Sequence, residues 1–119
     1  MLDDLKYIHT KDAEDALGLA GKQWQQLETV YELPELNIEV DNVVFAGMGG
    51  SALWALLSQT WPGLKVPFQV WRKYDLPNYV GPKTLLIVSS YSGNTEETLS
   101  ALSGGEEAGA HIVFATSGG

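Results

Sequence analysis

The sequence predicts an α/β domain: a parallel sheet with helices on both faces. Three observations predict it. Val43–Ala46 and Leu85–Val88 are short runs, apolar at every position, as strands buried on both faces must be. Helix-type segments separate the strand-type runs, which is the alternation of a parallel sheet. These two runs also end in loops rich in glycine and serine, Gly47–Ser51 and Ser89–Thr95, at the carboxyl ends where open parallel sheets bind ligands.

Taken in order, Thr10 is expected to cap a helix running to about Tyr31. Ala16, Ala20, Trp24, Leu27 and Tyr31 recur three or four residues apart on one face, and Pro34 ends the segment. The acidic stretch Glu32–Asp41 connects to the first strand, Val43–Ala46. After Gly47–Ser51, the segment Ala52–Trp61 reads as a helix. Leu53, Trp54, Ala55, Leu56 and Leu57 make it apolar on every side, so burial all round is expected, in a core or a subunit interface. Pro62-Gly63 stops it. Pro67–Trp71 reads as the second strand and Arg72–Lys83, with Pro77, Gly81 and Pro82, as a loop. Thr84–Ser89 is the third strand. Thr95–Leu102 is expected to be a helix ended by Gly104-Gly105, and His111–Ala115 the fourth strand. Residues 1–40 thus form an N-terminal helix and connector, and 41–119 the sheet-bearing part. The chain stops on Gly118-Gly119 just past a strand, where a further helix is expected, so it reads as the front part of a longer protein and the sheet as incomplete.

With 119 residues, 45% of them hydrophobic, the chain can bury one core. A net charge of −8 disfavours nucleic acid and anionic membrane as partners, because both demand clustered Lys and Arg. An anionic ligand must then be held by local dipoles. The absence of cysteine excludes disulfides, thiolate catalysis and zinc–cysteine sites, and with only His9 and His111, far apart in sequence, a histidine metal cluster is not expected. The acidic start is no signal peptide, and no apolar run approaches the ~20 residues of a membrane span, so the chain reads as cytoplasmic.

Both glycine/serine loops lead into a helix, which aims free backbone N–H groups and the positive helix end at a ligand. Gly47–Ser51 allows close backbone approach, and Ser51 can cap the helix or bond a phosphate oxygen. The same loop can equally be a tight turn with a serine cap. Gly47, Gly49 and Ala52 also match the G-x-G-x-x-[GA] spacing of dinucleotide sites, with Arg72 placed for a 2′-phosphate. Ser89–Thr95 is more specific: capping needs one hydroxyl, and this loop supplies several. Each hydrogen bond to a charged group contributes about 1.5–3 kcal/mol. Three or four of them, less the cost of immobilising a ligand, give micromolar to millimolar binding, which suits a metabolite. Glu96 and Glu97 in the first helical turn are expected to complement the dipole and point away from a bound anion. His111 is expected at a surface or edge, and the tryptophans Trp24, Trp54, Trp61 and Trp71 in a core or interface.

Gly47-Met48-Gly49-Gly50-Ser51-Ala52, then Ser90-Tyr91-Ser92-Gly93-Asn94-Thr95-Glu96-Glu97-Thr98, then Ala115-Thr116-Ser117-Gly118-Gly119 together resemble the sugar isomerase (SIS) domain family. Within it the likeness is strongest to the N-terminal SIS domain of bifunctional phosphoglucose/phosphomannose isomerases. The resemblance implies a three-layer α/β/α fold with a five-stranded parallel sheet. It implies that Gly50, Ser51, Ser90, Ser92 and Thr95 bind the phosphate of fructose 6-phosphate, glucose 6-phosphate or mannose 6-phosphate. It further implies aldose–ketose isomerisation through a cis-enediol without metal or organic cofactor, a homodimer, and a place in glycolysis and gluconeogenesis. The family's catalytic glutamate, ring-opening histidine and later basic residues are expected beyond Gly119, so no catalytic residue is assigned in this chain and the chain alone is expected to be inactive. A non-catalytic SIS module sensing a sugar phosphate, and an NADP-binding domain, are the alternatives.

Overall fold

The computed structural model describes residues 3–30, 32, 35–60 and 63–119. The chain divides into two compact units, Met1–Leu36 and Asn37–Gly119.

In the first unit the expected single helix is broken into α1 (Leu5–Lys11), α2 (Ala16–Lys22) and a 3-10 segment, Gln23–Glu28. Thr10 lies inside α1 and its hydroxyl donates to the Tyr7 carbonyl at 2.7 Å. Asp4 is the cap instead, accepting from the Lys6 and Tyr7 amides at 3.1 and 3.3 Å. The break has a local cause. Asp12 draws the amides of Leu17 and Ala16 onto its carboxylate, each at 2.8 Å, and so starts a second helix. Those two bonds hold its carboxyl below the ordinary value. Asp15 adopts a left-handed φ of 53°, which cannot continue a helix. Ala16, Ala20 and Trp24 are exposed in this arrangement. Tyr31 and Pro34 lie outside the described residues.

The second unit is built on a fully parallel sheet of β1 (Asn42–Gly47), β2 (Phe68–Trp71), β3 (Thr84–Ser90) and β4 (His111–Thr116), in the order β2-β1-β3-β4. These are four strands among the described residues, where the resemblance implies five. Two apolar layers sandwich the sheet. On one face Val44, Ala46, Leu86 and Val88 pack with Ala101 of α4 (Glu96–Glu107). On the other, Phe45 packs with Ala52 and with Ala55 of α3 (Leu53–Ser58). Period-two alternation sends neighbouring strand residues to opposite layers, and both are apolar, which explains the continuous runs. The three-layer α/β/α arrangement expected of the sequence is therefore present.

Two helices depart from expectation. The segment read as a helix over Ala52–Trp61 begins as a 3-10 turn at Gly49–Ala52 and continues as α3 to Ser58. Only Ala52 and Ala55 are buried in it, while Leu53, Trp54 and Leu57 are exposed, so the helix is not enclosed all round within this chain. Trp61 and Pro62 lie outside the described residues. Conversely, α4 does not stop at Gly104-Gly105 but passes through them to Glu107. Gly105 is buried, and a Cβ there would sit 2.3 Å from Leu86 Cδ2. A glycine in the helix lets α4 settle closely on β3, and that packing outweighs its poor helix propensity of about 1 kcal/mol.

Among the described residues no helix is long and apolar enough to cross a membrane.

Candidate functional site: a cleft at the switch point of the sheet

From β1 the chain moves first to one side, to β2, and then returns past β1 to β3 and β4. The reversal lies between β1 and β3, and their carboxyl ends are level: Gly47 stands opposite Ser89. A crevice forms where the helices after two adjacent strands leave in opposite directions. Here Gly50, Ser51, Trp54, Ser89, Ser90, Tyr91, Ala115, Thr116 and Ser117 line a cleft of about 580 Å³. That is a volume fit for a small metabolite.

Behind one wall of this cleft is a cluster of hydroxyls. Ser90, buried, brings its Oγ 2.9 Å from Thr95 Oγ1 and 3.5 Å from Ser92 Oγ. Ser90 Oγ also accepts from the Gly93 amide at 3.1 Å, and Ser92 Oγ from the Asn94 amide at 3.3 Å. Gly93 makes the turn with φ +73°, and a Cβ on it would lie 2.1 Å from the Gly118 carbonyl. Only glycine fits there, both for its φ and for the close approach of the β4 exit. That exit is tied down by Ser117, whose hydroxyl donates to the Tyr91 carbonyl at 2.8 Å.

Thr95 occupies the N-cap position of α4, yet its side chain makes no capping bond and turns instead to Ser90. The amides of the first turn of α4 therefore keep their donors free of side-chain caps, beside three clustered hydroxyls. Such an arrangement can donate to an anion without burying a cation. On the opposite side, the glycine loop follows a similar logic with fewer parts. Gly47 is buried, with a would-be Cβ 3.0 Å from the Ser89 carbonyl, which lets β1 and β3 end close together. Ser51 caps neither the 3-10 turn nor α3; those positions belong to Met48 and Ala52.

Of the residues expected at the site, Gly50, Ser51 and Ser90 line the cleft, while Ser92 and Thr95 are joined to Ser90 beside it. Glu96 and Glu97 do not line it, and neither does Arg72, which is exposed just past β2. His111 is exposed at the start of β4, at the opposite end of the strand. Trp54, Tyr91, Thr116 and Ser117 were not assigned from sequence. The signal for Trp54 is its spacing: one helical turn beyond Gly50, it shares that residue's face. Its ring meets Phe45 edge-on at 4.5 Å, and it is half exposed rather than a core residue.

This fold and this pair of loops define a SIS-type α/β domain. No protein-family model matches the chain. It is 44% identical over 103 residues to the bifunctional phosphoglucose/phosphomannose isomerase of Caldicellulosiruptor bescii, a match covering 80% of this chain and 30% of that protein. The enzyme of the same description from Thermoplasma acidophilum is 44% identical over 78 residues, 66% of this chain and 25% of the relative. A crystal structure of a Bacillus subtilis protein assigned as a phosphosugar isomerase superposes with a TM-score of 0.53 at 24% identity, over 67% of this chain and 26% of that one, a likeness of fold. The chain is homologous to part of the bifunctional phosphoglucose/phosphomannose isomerases, a family of SIS-domain proteins, and it spans about 30% or less of the length of these curated relatives.

Proposed function

We propose that this chain forms the phosphate-gripping part of an aldose–ketose isomerase that interconverts glucose 6-phosphate or mannose 6-phosphate with fructose 6-phosphate. The observation that carries the reading is the convergence of Ser92 and Thr95 on Ser90 beside the uncapped start of α4, with Ser90 lining the same cleft as Gly50 and Ser51. In this reading the hydroxyls and the first-turn amides of α4 donate to the phosphate oxygens, and the Gly50 backbone and Ser51 close the other side. Local dipoles hold the anion against a net charge of −8.

Isomerisation moves a proton between C1 and C2 through a cis-enediol, which requires a base near C2. The described residues lining the cleft include no carboxylate, imidazole or ammonium group. In this reading they bind and orient the substrate, and the proton-transferring groups are supplied by the rest of the assembled enzyme, proposed to be a homodimer.

The test is an NMR titration of the chain with fructose 6-phosphate, fructose and NADPH. Saturable shifts at Ser51, Ser92 and Thr95 are expected with the sugar phosphate, at micromolar to millimolar Kd, and none with fructose. Saturation by NADPH without response to the sugar phosphate would overturn the reading. Turnover of fructose 6-phosphate by the chain alone would overturn the division of labour.

A further inference from the structure

Glu96 is the first residue of α4, directly after Thr95. A carboxylate at that position is attracted to the same free amides that an anionic ligand needs. It can fold back onto the first turn and compete, or be held outward. In the structure its carboxylate is engaged by another partner: the Tyr74 hydroxyl donates to Glu96 Oε2 at 3.0 Å.

Tyr74 belongs to the segment after β2, and that segment is fastened to α4 at a second point. The Asp75 amide donates to Ser100 Oγ at 3.2 Å. Glu96 and Ser100 are one helical turn apart, so both bonds fall on one face of α4. The turn that presents Tyr74 is itself built: Asp75 has a left-handed φ of 56°, and its carbonyl accepts from Trp71 Nε1 at 2.6 Å. The bond to Glu96, followed by burial and the charge of nearby Glu97, raises the pKa of the phenol above its ordinary value. It therefore stays a donor throughout the neutral range.

We propose that Tyr74 is a positioning residue for the anion site: by holding the Glu96 carboxylate away from the first turn of α4, it leaves those amides open to the phosphate of a sugar phosphate. This inference rests on the phosphate-gripping role given above to the start of α4.

The experiment titrates fructose 6-phosphate into the full chain and its Tyr74→Phe, Glu96→Gln and doubly substituted variants, with thermal unfolding of each. Tyr74→Phe is expected to weaken binding about fivefold, the scale of one carboxylate brought to a helix N-terminus. Glu96→Gln is expected to bind at least as tightly as the unaltered chain. The double variant is expected to match Glu96→Gln, because the phenol acts only through that charge. A double variant as weak as Tyr74→Phe, an unchanged Tyr74→Phe, or a weakened Glu96→Gln would each overturn the proposal. If the unaltered chain itself shows no saturable binding, the phosphate-gripping reading fails and this one falls with it. Binding by the unaltered chain without the Glu96-dependent pattern rejects the role of Tyr74 alone.

Discussion

The loops after β1 and β3 reach the same cleft by opposite means. Around Gly49 and Gly50 the chain is open: a Cβ at either would meet no heavy atom within 4 Å, and Ser51 caps no helix. The loop after β3 is closed on itself, with Ser90 bonded to Thr95 and to the Gly93 amide, and Gly93 wedged against Gly118. One loop offers bare backbone and a hydroxyl without a partner among the described residues. The other offers hydroxyls whose positions are already fixed. Preorganised donors avoid ordering costs on binding, but they tie the site to the stability of the fold.

That difference can be broken at its strongest point first. Gly93→Ala imposes a Cβ on a left-handed residue and drives it into the Gly118 carbonyl, so it is expected to cost about 2–4 kcal/mol. Denaturant unfolding measures this, and a loss below about 0.5 kcal/mol would contradict the wedged geometry. Ser90→Ala comes next. Removing a buried hydroxyl with several partners is expected to lower stability by about 1–2 kcal/mol and to weaken fructose 6-phosphate binding at least tenfold, as calorimetry would report. Ser51→Ala sharpens the contrast. It is expected to leave the unfolding transition within about 0.5 kcal/mol of the parent while weakening binding about tenfold. Equal stability losses for Ser51→Ala and Ser90→Ala would erase the distinction between the loops.

Most of the second unit was legible in the sequence because each signal was local. Strands buried on both faces must be apolar at every position, and Val43–Ala46 and Leu85–Val88 are. The glycines and serines that follow could only fall at strand ends. What escaped depended on partners distant in sequence, or on competition between local bonds. Gly104-Gly105 looks like a helix stop until Leu86 is seen against Gly105. The apolar spacing from Ala16 to Trp24 favours one long helix, but Asp12 captures two amides and Asp15 turns left-handed, which ends it. Exposure of Leu53 and Leu57 was not legible either, since a helix apolar on every side specifies no covering surface. At the site, the loop Ser89–Thr95 stood out by its many hydroxyls, and Ser90, Ser92 and Thr95 were singled out within it by the resemblance to the SIS family. Tyr74 carries no such pattern; the role proposed for it rests on a contact made only where the β2 exit meets α4.

The level ends of β1 and β3 have a further consequence, for folding. These strands are neighbours in the sheet, but β2 and its return loop intervene in the chain. Their pairing must close a long loop before it gains anything. A molecule gripped by both Gly50-Ser51 and Ser90 acts as a removable clasp across that pairing. At a concentration of one hundred times Kd it adds about 2.7 kcal/mol to the native state. Amide exchange along β1 and β3 would then slow together as the clasp fills, and the two strands would open as one unit.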